Sequence, residues 1–426
     1  MSMTETLQAP VIGQQSWWAR QSRTAQIALM VWGSFVILSF ARAISGQNDL
    51  TSEFTLRAAL GYTLPVMLVG LGGLLSERAG IVNIGLEGMM ITGTWGAGFF
   101  GFHYGPWGAL FGGIFGGAVG GSLHAMATVT FGVDHVISGV ALNLLAGGWA
   151  RFLSASLFKG RGSGSETNSP GFDPSKGMPT LRMPGMQDGG FLERIENHRW
   201  PVISDFVGVS RGLLGEWKLY QVIAALCVPF VAWLVWRTKF GLRLRSSGEK
   251  PSAADSLGVN VTRIRYQAVI LSGAFAGLGG ALLVLNNNGT YSQGQTNGRG
   301  FLGLAALIFG NWRPMGVVGG AGLFGYLDAL KDTTQPPAVR GLYLAGAVIL
   351  LILSVVLLRR QKRRTGMAVG AVGGGLGLLF VSGFAINQDL YKALPYIGTL
   401  VVLAVFSRRL RPPAASGQPW RKGQSI

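Results

Sequence analysis

The sequence predicts an all-α fold: a polytopic membrane helical bundle of about 10–12 transmembrane segments with both termini cytoplasmic. Three observations carry this. Of 426 residues, 49% are hydrophobic and only 13% charged, whereas soluble domains average about 25% charged. Apolar runs of about 20 residues recur along the chain, each long enough as a helix to cross about 30 Å of hydrocarbon. The basic residues gather at the ends of those runs, the pattern of loops retained in the cytoplasm. The net charge of +18 therefore fits such loops and anionic lipid headgroups rather than nucleic acid.

Residues 1–23 form a polar cytoplasmic tail ending in Trp17, Trp18, Arg20 and Arg23, an interfacial anchor. Residues 24–44 are the first span. Ala41-Arg42-Ala43 faintly resembles a signal-peptidase site, but the apolar run is too long for a leader, so an uncleaved anchor is expected. The next spans are 54–75, which contains Pro65, then 84–102, 107–131 and 136–158. Residues 159–218 hold eight bases and seven acids among Gly, Pro and Ser. They read as an outer loop with little core of its own and one short helix near 191–199. Spans 219–236 and 266–285 follow; 301–309 is apolar but too short to cross alone. Segments 315–330, 341–358, 366–386 and 393–406 complete a transmembrane domain over 24–406, and 407–426 is a basic cytoplasmic tail. With this count, short loops placed inside hold 21 Lys/Arg and those placed outside hold four: Arg299, Lys331, Arg340 and Lys392. A wrong number of spans would scatter these charges, although a pair of re-entrant segments would preserve the parity.

The loop at 237–265 organises this topology. It carries seven Lys/Arg against Glu249 and Asp255, between two membrane-length runs. Pro251 can start a helix there, with Gly258 as its stop. Two stretches break the apolar pattern at membrane depth, 70–87 and 298–316. Interrupted segments can leave helix ends and free peptide groups inside the membrane, where solute binds. Glu87 follows the first break, and a carboxylate there is costly unless paired or facing water. It is a candidate pathway residue, or equally a structural cap or a partner of Arg78. Asn83 and Asn143, neutral hydrogen-bonding groups at similar depth, are either pathway groups or glue between helices. Arg299 opens the second break and joins them as a pathway candidate. His124 reads as a packing residue, and Asp328 and Arg57 as paired groups near helix ends. Glycines at four-residue spacing, such as Gly112/Gly116/Gly120 and Gly113/Gly117/Gly121, mark faces where helix backbones approach closely.

Catalysis finds no support. There is no Gly-Lys dipeptide and hence no Walker A loop, no G-x-S-x-G elbow, and the four His lie in different segments. The single Cys227 sits in an apolar run, so there is no disulfide framework. No cofactor or metal is expected.

Four stretches in order resemble permease subunits of bacterial ABC importers. They are SERAGIVNIGLEGMMITG (76–93), HVISGVALNLLA (135–146), GLRLRSSGEKPSAADSLGVNVTRIRY (241–266) and GRGFLGLAALIFGNWRPMG (298–316). The nearest group is the nucleoside and simple-sugar type, related to branched-chain amino acid permeases. The tail ALPYIGTLVVLAVFSRRLRPPAASGQPW (393–420) is similar as well. The resemblance implies that a short cytoplasmic helix docks into a groove of an ATPase subunit. Here that is Glu249, Lys250, Pro251, Ala253, Ala254 and Gly258, the two alanines being small enough for a groove. It also implies ABC ATPase subunits, a second homologous permease subunit, an extracytoplasmic solute-binding lipoprotein, a small-molecule substrate, and residence among the lipids of the bacterial cell (inner) membrane. The chain departs from the family pattern at 341–386, where two extra spans and the basic turn 359–364 stand inserted.

The resulting expectation is a non-enzymatic permease subunit of an ATP-binding cassette importer for nucleosides or related small polar solutes. A simple-sugar permease is the alternative. An ion-coupled secondary carrier is less favoured, because it needs membrane carboxylates as relays and only Glu87 qualifies.

Overall fold

A computed structural model of the protein describes residues 21–333, 339–384, 393 and 410–421. The expected span at 393–406 and most of the N-terminal tail lie outside the described residues. Helix α1 (Arg23–Ser45) is capped by Ser22, whose hydroxyl accepts from the backbone N–H of Ala25. Helix α2 (Glu53–Arg78) begins at Ser52, which caps Thr55 N–H, and continues through Pro65. Helix α3 (Leu86–Ala125) is two helices joined at Gly105, whose φ of 71° and ψ of −161° are non-helical. Only glycine adopts this conformation cheaply, and Pro106 then starts the second half. The halves fold back antiparallel: a Cβ added to Gly112 would lie 2.4 Å from Gly96 O. The expected separation of 84–102 from 107–131 is therefore a tight hairpin.

Helix α4 (His135–Leu157) is capped by Asp134. Strand β1 (Thr180–Arg182), helices α5 (Phe191–Asn197) and α6 (Ile203–Leu214), and strand β2 (Glu216–Lys218) follow. Then come α7 (Leu219–Arg237), α8 (Lys239–Glu249), α9 (Pro251–Ser256), α10 (Val261–Asn286), α11 (Arg299–Phe309), α12 (Pro314–Thr333), α13 (Val339–Arg359) and α14 (Arg363–Val381). Among the described residues, eight helices are long and apolar enough to cross a membrane, one of them the hairpin through Gly105.

The chain divides into two compact units. The larger comprises 49–198, 206–336 and 386–426. Its centre is α2 and α10, apolar all round and largely buried. The glycine faces decide its packing. Gly112 and Gly116 meet the first half of α3, while their neighbours Gly113 and Gly117 meet Gly277 and Gly273 of α10. The large side chains of α4, such as Leu144 and Phe152, are exposed. The smaller unit comprises 1–48, 199–205 and 337–385. In it, Arg42 of α1 forms a buried ion pair with Asp205 at 2.8 Å and donates to Asn48 Oδ1 and Arg199 O. The turn between α13 and α14 is closed by Ser354 Oγ donating to Gly366 O at 2.7 Å.

Residues 159–218 are more ordered than their composition suggests. Besides α5, which matches the expected short helix, they contain α6 and the antiparallel pair β1–β2, with Thr180 opposite Lys218. Buried Arg211 binds Glu196, Glu53 and Asp188 at 2.5, 2.7 and 3.0 Å. Its richness in Gly, Pro and Ser made this stretch read as loop, yet Gly208 and Gly212 lie inside α6. Their lack of side chains instead lets α6 approach the backbone at Thr51 and Glu53.

The stretch 237–265 also holds more structure than expected. Thr238 caps α8 by accepting from Gly241 N–H at 3.0 Å. Helix α9 does begin at Pro251, and Gly258 has φ +82° where the helix ends.

Candidate functional site

Two polar places stand out in the larger unit. The first is a joint between helix ends. Chain segment 79–85 leaves α2 and turns back, and α3 starts at Leu86. Helix α11 runs beside the second half of α2. A Cβ on Gly303 would meet Val69, and Trp312 O accepts from Arg78 Nη2 at 2.8 Å. Since α2 is about 39 Å long at 1.5 Å per residue, α11 begins near its middle.

Glu87 lies at that level and is 7% exposed. Its Oε1 accepts from Gly298 N–H at 3.1 Å and its Oε2 from Gly300 N–H at 2.7 Å. The carboxylate thus satisfies the orphan donors at the start of α11 and sits where two helix N-termini meet, the favourable end of both dipoles. Asn143 does the same for α3: its Oδ1 accepts from Gly88 N–H at 2.7 Å and its Nδ2 donates to Ile84 O. Asn83 Nδ2 donates to Ser272 Oγ at 2.9 Å, while its Oδ1 is buried without a partner among the described residues. Arg78 donates to Trp312 O and approaches Glu249 at 4.0 Å, so it does not partner Glu87. His124 hydrogen-bonds with Ser138 Oγ at 2.8 Å and Val82 O at 3.3 Å, a satisfied packing histidine.

The second place is a cavity of about 750 Å³ reaching from Phe54 and Arg57 in the first turn of α2 to Arg299. Its volume lies within the range of small-molecule sites. Arg299 is bound to Asp328 at 2.5 Å and stacks over the ring of Tyr62 at 4.8 Å. Lys331 shares Asp328 at 2.6 Å. Among the amides lining the cavity, Asn286 is engaged with Gly61 O and Tyr220 Oη. Gln295 Oε1 accepts from Ser292 N–H, and its Nε2 is buried without a partner among the described residues. Arg57 pairs with Glu53 and, at 3.3 Å, with Glu216. An aromatic face, amides and charges of which Arg57, Glu216 and Arg299 are held in ion pairs suit a small, polar solute.

The structure brings the four expected pathway residues into adjacent but different settings. Arg299 lines the cavity, whereas Asn83, Glu87 and Asn143 do not. Tyr62, Gln221, Asn286 and Gln295 went unnoticed in the sequence. The signal available was the Asn286-Asn287-Asn288-Gly289 run closing an apolar span.

At the opposite, basic end, Ala253 is exposed while Ala254 is 3% exposed and packed against Val261 and Trp420. Both alanines had been expected to face a groove outside the chain. Ala254 is instead covered by the chain's own tail. The exposed face holds Ala253, Ser256 and Leu257, the last 86% exposed.

Residues 55–357 match the family model described as branched-chain amino acid transport system / permease component. A guanosine ABC transporter permease protein of Bacillus subtilis is 31% identical over 376 residues, covering 86% of this chain and 96% of the relative. A nucleoside ABC transporter permease protein of Lactococcus lactis is 36% identical over 289 residues, covering 66% and 82%. A glucose ABC transporter permease protein of Haloferax volcanii is 27% identical over 272 residues, covering 62% and 65%. No solved structure matches the chain. Matching that family model over most of its length, and bearing eight apolar helices of membrane length among its described residues, the chain belongs to the branched-chain amino acid transport system permease component family and is a multi-pass protein of the cell membrane.

Proposed function

We propose that the chain is the membrane-spanning subunit of an ABC importer that carries nucleosides into the cell. One observation carries the substrate class: relatives named for guanosine and nucleosides align with 86% and 66% of the chain. The cavity between Tyr62 and Gln295 supports the reading. An aromatic ring can stack on a base, and the amides that line the cavity are of the kind that meets base edges and ribose hydroxyls. ATP is bound and hydrolysed by partner ATPase chains. A second permease subunit and a solute-binding lipoprotein complete the assembly.

In this reading 237–265 and both termini face the cytoplasm and 159–218 faces out, which the charge distribution supports. The exposed face of 249–258 then docks into the ATPase, whose closure switches the bundle between two packings. The joint at Glu87 conveys that switch. Its carboxylate holds Gly298 and Gly300, and Arg299, between them, reaches the cavity.

The test is uptake of labelled guanosine by the assembled transporter in proteoliposomes, with unlabelled nucleosides and glucose as competitors. Competition by nucleosides and not by glucose is expected. Competition by glucose alone would favour a sugar permease, the reading that the Haloferax relative supports. Sidedness is tested by labelling cysteines introduced at Ser163 and Ser246 in a Cys227→Ala background; both reacting from one side would reject this map.

A further inference from the structure

Residues 410–421 lie across the basic end of the larger unit and touch the elements that a coupling movement must join. Arg411 N–H donates to Asn311 Oδ1 at 2.8 Å, in the turn between α11 and α12. Ala414 N–H donates to Glu249 Oε2 at 3.3 Å, and Ala415 N–H to Gly248 O at 2.8 Å, at the end of α8. Gly417 N–H donates to Gly80 O at 3.1 Å, where the chain leaves α2. Gln418 O accepts from Arg265 Nη1 at 3.3 Å, in the first turns of α10. Trp420, 8% exposed, fills the space between Ala254 of α9 and Val261 of α10.

Two features show that this contact is built in. Arg265 is 2% exposed, and its Nε and Nη2 have no partner among the described residues. A buried guanidinium is costly unless its donors are met, and the acceptor it does find belongs to the tail. Gly80 has φ +95°, and a Cβ there would sit 2.9 Å from Arg265 Nη2 and 3.3 Å from Ala415 O. Only glycine lets these three groups come so close.

Helix α9 has six residues and is flanked by Lys250 at φ −144° and Gly258 at φ +82°. Such a helix, hinged at both ends, is a poor lever alone. We infer that 410–421 form a strap that locks α9 to Gly80 and the start of α10, with Trp420 as its positioning residue. A push on α9 then reaches the 79–85 segment and, through it, the joint at Glu87. This inference rests on the proposed docking of 249–258.

The test uses the transporter assembled with its ATPase and partner permease, with labelled guanosine as probe. It measures co-purified ATPase, ATP hydrolysis, and solute moved per ATP. Trp420→Ala removes the ring, and Gly417→Val strains a residue at φ +79° and breaks its bond to Gly80. Each is expected to keep its ATPase bound and hydrolysing while solute moved per ATP falls by about fivefold or more. Trp420→Phe is expected to restore the ratio, because the indole Nε1 has no partner among the described residues. The strap is overturned if both variants couple as well as the unaltered protein, if both are lost from the membrane, or if Trp420→Phe behaves like Trp420→Ala. Ala253→Glu, on the exposed face of α9, tests the underlying reading separately. If it leaves ATPase binding and uptake unchanged, the docking site lies elsewhere, whatever the tail variants do.

Discussion

The joint at Glu87 and the cavity at Arg299 are neighbours with opposite chemistry. At the joint, a carboxylate and an amide bind backbone N–H groups, and these helix ends are closed by the protein itself. In the cavity, Arg299 is held by Asp328 and Tyr62, yet Gln295 keeps a donor unmet. Both places break the membrane pattern. The difference teaches that such a break is not by itself a binding site. Where polar groups close on helix ends with no cavity beside them they form a hinge or brace; where an aromatic ring and amides line a cavity, a solute can meet them.

The comparison breaks first at Glu87. Glu87→Ala leaves the buried Gly300 N–H and the part-buried Gly298 N–H without acceptors, at a cost of about 3 kcal/mol in total. Thermal unfolding in detergent should show the loss, and little protein should reach the membrane. Glu87→Gln keeps one acceptor but turns a donor toward a donor, so uptake per folded protein should fall more than for His124→Gln. Equal uptake in those two variants would leave the joint without a role in transport.

Arg299→Gln should come next. Asp328 keeps Lys331 at 2.6 Å, so the protein should remain in the membrane. Uptake should fall about tenfold, equivalent to about 1.4 kcal/mol. Loss of the protein instead would make Arg299 part of the brace. Gln295→Leu removes the amide together with its bond to Ser292 N–H and should raise KM severalfold at unchanged maximal rate, the mark of lost ground-state binding. An unchanged KM would place the solute elsewhere.

The smallest effect is expected at Lys159, outside both places. Its fully exposed pair with Glu166 holds that carboxyl below its usual range through the hydrogen bond and charge of the ammonium. Any stability from the depressed carboxyl is present above its ordinary pKa and lost only as pH falls through the lower folded value. Exposed pairs contribute little, so Lys159→Ala should leave uptake and its profile near neutral pH unchanged. A clear change would mean that 159–218 takes part in transport.

Much of the fold was legible because its signals are local. Apolar run length and loop charge marked the spans, Pro251 and Gly258 bounded α9, and Gly105-Pro106 lay in the short gap between two spans. Residues whose local meaning is ambiguous were missed. The Gly-rich composition of 159–218 suggested loop, yet Gly208 and Gly212 allow α6 to approach α2. The stretch before Pro251 looked like basic loop, although Thr238, Phe240 and Leu244 have the cap and spacing of a helix.

What the sequence by itself determined is therefore the membrane bundle, its breaks and the short helix at its basic end, because hydropathy, charge and φ preferences act over a few residues. Only the tertiary structure decided what the breaks do. Glu87 meets Gly298 across 211 residues and Arg265 meets Gln418 across 153. No local pattern encodes such pairings. They follow from the depth at which each helix starts and from where glycines let backbones touch, and these emerge only when the whole bundle packs.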